Sequence, residues 1–173
     1  ITAEGSEGDV SISDLASGDL TVTGGNGDDS FDFGNALTSA DTVDGGAGED
    51  AITVSDTSGS VVDTSSSGAF AKVSNIETLV LDTAIGNNTL TVDLGELDSL
   101  RNVTFGASHT QATGAATTID GLTNESVVTL KAEANARADE INFVDAENTS
   151  SDVLNIVLEN DDGDTSSKIG ELK

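Results

Sequence analysis

The sequence predicts an all-β chain that begins as a β-roll, a parallel β-solenoid. It continues either as an irregular β-solenoid or as sandwich-like strands. Three observations predict it. Short β-branched runs punctuated by Gly, Ser, Asn and Asp recur along the 173 residues, with no proline anywhere. Two nine-residue stretches, 24–32 and 45–53, both fit G-G-x-G-x-D-x-U-x, where U is a large apolar residue. Their first glycines, Gly24 and Gly45, lie 21 residues apart, close to the roughly eighteen of one coil built from two nonapeptide halves.

Each element follows from that frame. Residues 10–12 and 20–22 are the first strands, and Phe31 and Ile52, at the U position, each start a strand that points into a narrow core. Between the two matches, residues 36–44 keep an Asp (Asp41) and an apolar position (Val43) but lack the glycines, which leaves Phe33, Gly34 and Asn35 as an insertion. Further strands are expected at 52–54, 76–81, 89–92, 103–105, 126–130, 140–144 and 153–158. Leu94, Leu97 and Leu100 recur every third residue and read as one helical turn or a loop. After Asn75 the glycine motif vanishes and similar phrases at 74–81, 100–105 and 124–130 follow one another. The chain therefore divides into a β-roll segment, 1–68, and an irregular solenoid or sandwich segment, 69–173. Residues 153–159 and 168–172 read as a closing hairpin around an acidic turn at 160–164.

The chemistry of the two matches points to calcium. Glycine lets backbone carbonyls converge without a Cβ in the way. Calcium takes six to eight oxygens, which such a turn offers as carbonyls plus an Asp carboxylate. The candidate ligand turns are Gly24, Gly25, Asn26, Gly27 and Asp29, and Gly45, Gly46, Ala47, Gly48 and Asp50. One coil apart, they stack on the same edge, with Asp29 and Asp50 as side-chain ligands of a shared ion. Asp41, a further candidate metal ligand, faces the opposite edge. Plain glycine turns without an ion are the alternative. Residues 4–9 and 86–90 are out of phase with the motif and are assigned no ion. The acidic turn at 160–164 is a weaker calcium candidate that fails the EF-hand template, because Leu158 holds the first ligand position.

Composition narrows the function classes. With 32 acidic against 6 basic residues the formal charge is −26, which argues against nucleic acid and anionic membranes as partners. An apolar fraction of 35%, gathered in β-branched runs, separates the chain from a disordered acidic tail. No cysteine is present, so disulfide, thiol and cysteine–zinc chemistry are absent, and a metal is the usual substitute staple. No apolar stretch is long enough for a transmembrane segment, and a start at Ile1 without any Met reads as a fragment of a longer protein. The one histidine, His109, sits in a polar stretch, no G-x-S-x-G elbow occurs, and neither Trp nor Tyr is available as a sugar platform. The expectation is a protein that is not an enzyme.

The phrases D-T-V-D-G-G-A-G-E-D-A-I-T-V (41–54), S-N-I-E-T-L-V-L (74–81) and S-D-V-L-N-I-V-L (151–158) resemble RTX-type surface-layer proteins of Gram-negative bacteria and related giant adhesins. The resemblance implies a calcium-dependent structural subunit, exported by type I secretion, that self-associates into a lattice or fibre on the extracellular bacterial cell surface. Cell-surface polysaccharide is a candidate partner. Carried across, the calcium role lands on the turns at 24–29 and 45–50. Long RTX rolls have many repeats and this chain has two, so a large ion count is not implied. Two other roles remain open: a module of a secreted RTX adhesin, and the calcium-dependent folding tail of a secreted enzyme or toxin.

Overall fold

The computed structural model describes residues 1–55, 68–82, 90–94, 97, 99–106, 116–123, 125–132, 140–145 and 155–160. Within them the chain is a parallel β-solenoid. One sheet holds seven strands: β1 (Ser11–Ile12), β3 (Ser30–Gly34), β5 (Ala51–Val54), β7 (Thr78–Leu81), β9 (Asn102–Phe105), β11 (Val127–Ala132) and β13 (Asn155–Asn160). The alternate strands form two smaller sheets. These are β2 (Thr21–Thr23), β4 (Thr42–Asp44) and β6 (Val73–Ser74), then β8 (Leu90–Asp93), β10 (Ala116–Leu122) and β12 (Glu140–Asp145). Every pairing is parallel. The chain thus switches sheets at each strand, and two strands make one rung.

Rungs vary in length, and those after Asp50 are longer than the first two. Equivalent positions are 19 residues apart at the first step, then 21, 27, 24 and 25. The extra residue in β3 is taken up as a bulge, where the register with β5 shifts between Asp32 and Gly34. The bulge is the single residue Phe33, in place of the three-residue insertion expected at Phe33 to Asn35; Gly34 is back in register with Val54.

Alternation of apolar and polar residues builds the core. Phe31, Ile52, Leu79, Val103 and Val128 are register partners in successive odd strands and all have no exposed surface. Val22 and Val43, and further along Val92 and Ile119, form matching columns from the even strands. Burying each such side chain stabilises the fold by about 1.5–3 kcal/mol. Leu94 and Leu100 are buried and Leu97 packs against the same core, with the Leu100 amide donating to the Leu97 carbonyl at 3.2 Å.

The parallel pairing of β7 through β13 resolves the latter half as solenoid rather than sandwich. Because β5 pairs with β7, the large sheet runs unbroken past residue 68, where the sequence changes character. β13 pairs in parallel with β11, while its expected hairpin partner at 168–172, the acidic turn at 161–164 and His109 lie outside the described residues. No helix among the described residues is long and apolar enough to cross a membrane.

Candidate metal centre

The two glycine motifs stack directly. A Cβ on Gly24 would overlap the Gly45 carbonyl oxygen and Asp29 Oδ2, and a Cβ on Gly46 would overlap the Gly25 carbonyl oxygen. Only glycine allows rungs to approach this closely at these turns. Gly46 has a second reason to be glycine, since its φ is +103°. The Ala47 amide donates to the Gly25 carbonyl at 2.9 Å, which ties the tip of one turn to the other. Below them, the segment at 6–9 adds a further layer. The Asn26 amide donates to the Ser6 carbonyl and the Asp28 amide to Asp9 Oδ1, at 2.8 and 3.0 Å.

A column of carboxylates runs along this edge. The residue just before β3, β5 and β7 is Asp29, Asp50 and Glu77 in turn, all buried. Each accepts the amide of its counterpart one rung earlier. Val10 N–H donates to Asp29 Oδ1 at 2.8 Å, Asp29 N–H to Asp50 Oδ1 at 2.7 Å, and Asp50 N–H to Glu77 Oε2 at 2.8 Å. These are charge-assisted bonds that satisfy amides at the sheet margin. An outer column runs in the opposite sense, each acid accepting the amide one rung later, with Asp28 N–H on Asp9 Oδ1 and Glu49 N–H on Asp28 Oδ1. Arg101 reaches this outer column with an ion pair to Glu49 at 2.5 Å.

The second oxygens distinguish the levels. Asp29 Oδ2 accepts the Gly25 amide at 2.5 Å. The corresponding amide in the next turn, Gly46 N–H, turns away to Asp44 Oδ1 at 3.2 Å. Asp50 Oδ2 is left fully buried with no hydrogen-bond partner. Burial pushes the Asp50 carboxyl up to about 6, the Asp29 amide pulls it back in part, and the neighbouring charges of Asp29, Glu77 and Asp28 raise it further. An orphaned anionic oxygen in the interior costs free energy unless a proton or a cation meets it.

Each expected site residue can now be placed. Gly24, Gly25, Gly27 and Asp29 come together with Gly45, Gly46, Gly48 and Asp50 on one edge. Asn26 and Ala47 lie at the turn tips, and the Asn26 amide group donates to Glu7 Oε1 at 3.1 Å. Asp41 precedes β4 on the other sheet, where Oδ1 accepts Leu20 N–H and Oδ2 accepts both the amide and hydroxyl of Thr38, at 2.7–3.0 Å. Its hydrogen bonds make Asp41 a turn cap. Sequence reasoning missed Glu77. Its signal was an acid one residue before a small or polar residue and then a large apolar one, as in Asp29-Ser30-Phe31, Asp50-Ala51-Ile52 and Glu77-Thr78-Leu79.

The residues present fit a hard, oxygen-seeking cation. Among the described residues no three His, Cys, Asp or Glu side chains gather at metal-binding geometry. An ion at Asp50 must therefore draw much of its shell from carbonyls, which is how calcium is held in glycine turns and how zinc is not. The chain matches no family model, no curated protein and no solved structure.

Proposed function

We propose that this chain is a calcium-dependent structural segment of a self-assembling bacterial surface layer, without catalytic activity of its own. The observation that carries the calcium reading is the buried, partnerless Asp50 Oδ2 inside a stack of glycine turns. Calcium bound there supplies the positive charge that the orphaned oxygen lacks, and would pin the two motif turns to the rungs that follow. The RTX-like phrases support an extracellular, cell-surface setting reached by type I secretion. The formal charge of −26 makes copies repel one another, so assembly needs a divalent ion to offset it. β1 and β13 are the outermost strands of the large sheet and offer backbone groups to a neighbouring chain.

The test has two stages. Calorimetric titration of the chain should show at least one calcium site in the extracellular range, on the order of 10⁻⁴ to 10⁻³ M, with magnesium a poor substitute. Electron microscopy of the complete protein at millimolar calcium should then show ordered sheets or fibres that chelator disperses. Binding without assembly would favour an adhesin module, and no binding at all would remove the proposal.

A further inference from the structure

Asn75 is one of two described non-glycine residues with positive φ, at 51°, the other being Asp14 at 55°. Left-handed backbone costs a side-chain-bearing residue energy and is tolerated best by Asn and Asp. The Asn75 conformation is held by its own side chain, whose Nδ2 donates to Asp44 Oδ1 at 2.7 Å. The result is that the Asn75 carbonyl oxygen is pressed onto Gly45, into the place a Cβ would fill. Asp50 Oδ2 lies 2.5 Å from that same vacant Cβ position. Two electron-rich oxygens thus converge on one point in the interior, and one of them has no hydrogen-bond partner. A second carboxylate stands beside them, because Glu77, 8% exposed, holds the Asp50 amide through Oε2.

The Gly24 level has the same shape and a different balance. There the Gly45 carbonyl and Asp29 Oδ2 converge on the missing Cβ of Gly24, but Asp29 Oδ2 already accepts the Gly25 amide. Both Asp29 oxygens are satisfied without an ion. The unsatisfied level is the next one up, where the covering rung carries no glycine motif.

We propose that Asn75 and Glu77 complete the calcium site, the Asn75 main-chain carbonyl and the Glu77 carboxylate closing over Asp50 Oδ2 from the third rung. This rests on the calcium reading above and moves the ion from between the two motif turns to the Gly45 level. Two carboxylates plus carbonyl oxygens form a hard donor set, which suits calcium better than magnesium with its demand for a tight octahedron. The Asn75 conformation then has a role, since a right-handed backbone at this residue would turn the carbonyl away.

The test is calorimetric titration of the full chain with calcium, comparing wild type, Glu77→Gln and Asp29→Asn. Glu77→Gln keeps an acceptor for the Asp50 amide and removes the charge, so affinity should drop by roughly tenfold or more. Asp29→Asn should stay within about threefold of wild type, because its oxygens serve amides. On wild-type protein, ¹³C NMR should show the Glu77 Cδ and Asp50 Cγ signals shifting together and saturating with calcium. That measurement stands even where a variant folds poorly. Wild-type affinity in Glu77→Gln with a still Glu77 Cδ signal would overturn the inference and leave the calcium reading intact. A wild-type chain that takes up no calcium would overturn both.

Discussion

Asp50→Asn separates the two states of the site because its effect should change sign with calcium. The variant keeps an oxygen to accept the Asp29 amide, a bond of 2.7 Å, and removes the charge from the partnerless position. In the metal-free fold, the Asp50 carboxyl sits at about 6 against an ordinary 3.8. That gap corresponds to on the order of 3 kcal/mol of destabilisation by the ionised side chain at neutral pH. The new amide group offsets part of the gain, at about 1–3 kcal/mol if it finds no acceptor. In EDTA the variant should therefore melt at or above the wild-type temperature, by up to several degrees, given about 2–4 °C per kcal/mol for a chain of this size. Calcium at one hundred times Kd stabilises the wild type by about 2.7 kcal/mol and should do far less for the variant. The order of melting temperatures should then invert. Calorimetric or circular-dichroism melts in EDTA and in excess calcium measure this directly. Equal losses in both buffers, with an unchanged calcium-induced shift, would refute the reasoning and leave Asp50 as a hydrogen-bond acceptor only.

Three other outcomes are expected. In EDTA, stability measured by denaturant unfolding should rise as pH falls from about 7 towards 5, because the folded Asp50 holds its proton up to about 6 and the unfolded one only to 3.8; this contribution is lost as pH rises through 6 and should be missing in Asp50→Asn. Asp41→Ala should cost about 2–3 kcal/mol by stranding the Leu20 and Thr38 amides, with the calcium isotherm unchanged. Gly45→Ala should cost at least about 3 kcal/mol and weaken calcium binding, since the new Cβ would displace the Asn75 carbonyl and meet Asp50 Oδ2; a variant that melts and binds like wild type would contradict the stacking of the turns.

Much of the fold was legible because a parallel solenoid repeats one local rule. Phe31 and Ile52 announce their strands as large apolar residues just after a glycine turn, and the runs at 103–105 and 126–130 announce theirs by β-branched alternation. β6 and β10 were not legible. β6 is two residues long, and β10 carries Ile119 and Leu122 amid Thr, Asp and Gly, so its pairing comes from β8 and β12 on either side rather than from its own pattern. At the site, motif spacing located Asp29 and Asp50 on one edge. It could not show which carboxylate oxygen lacks a partner, because that depends on where the Gly46 amide points. Nor could it reach Glu77, which lies 27 residues beyond Asp50 in a rung that lacks the glycine motif.

The carboxylate column has a direction. Val10 is capped by Asp29, Asp29 by Asp50, and Asp50 by Glu77, so every amide of this inner column waits for an acid that comes later in the chain, whereas the outer column, Asp28 on Asp9 and Glu49 on Asp28, runs the other way. A polypeptide delivered N-terminus first exposes each rung with its margin unsealed until the following rung arrives. One delivered C-terminus first has the opposite experience, because every acid of the inner column is in place before the amide that needs it. For a chain threaded through a narrow conduit, the end that emerges first decides which of the two columns, the buried inner one or the exposed outer one, is sealed as each rung arrives.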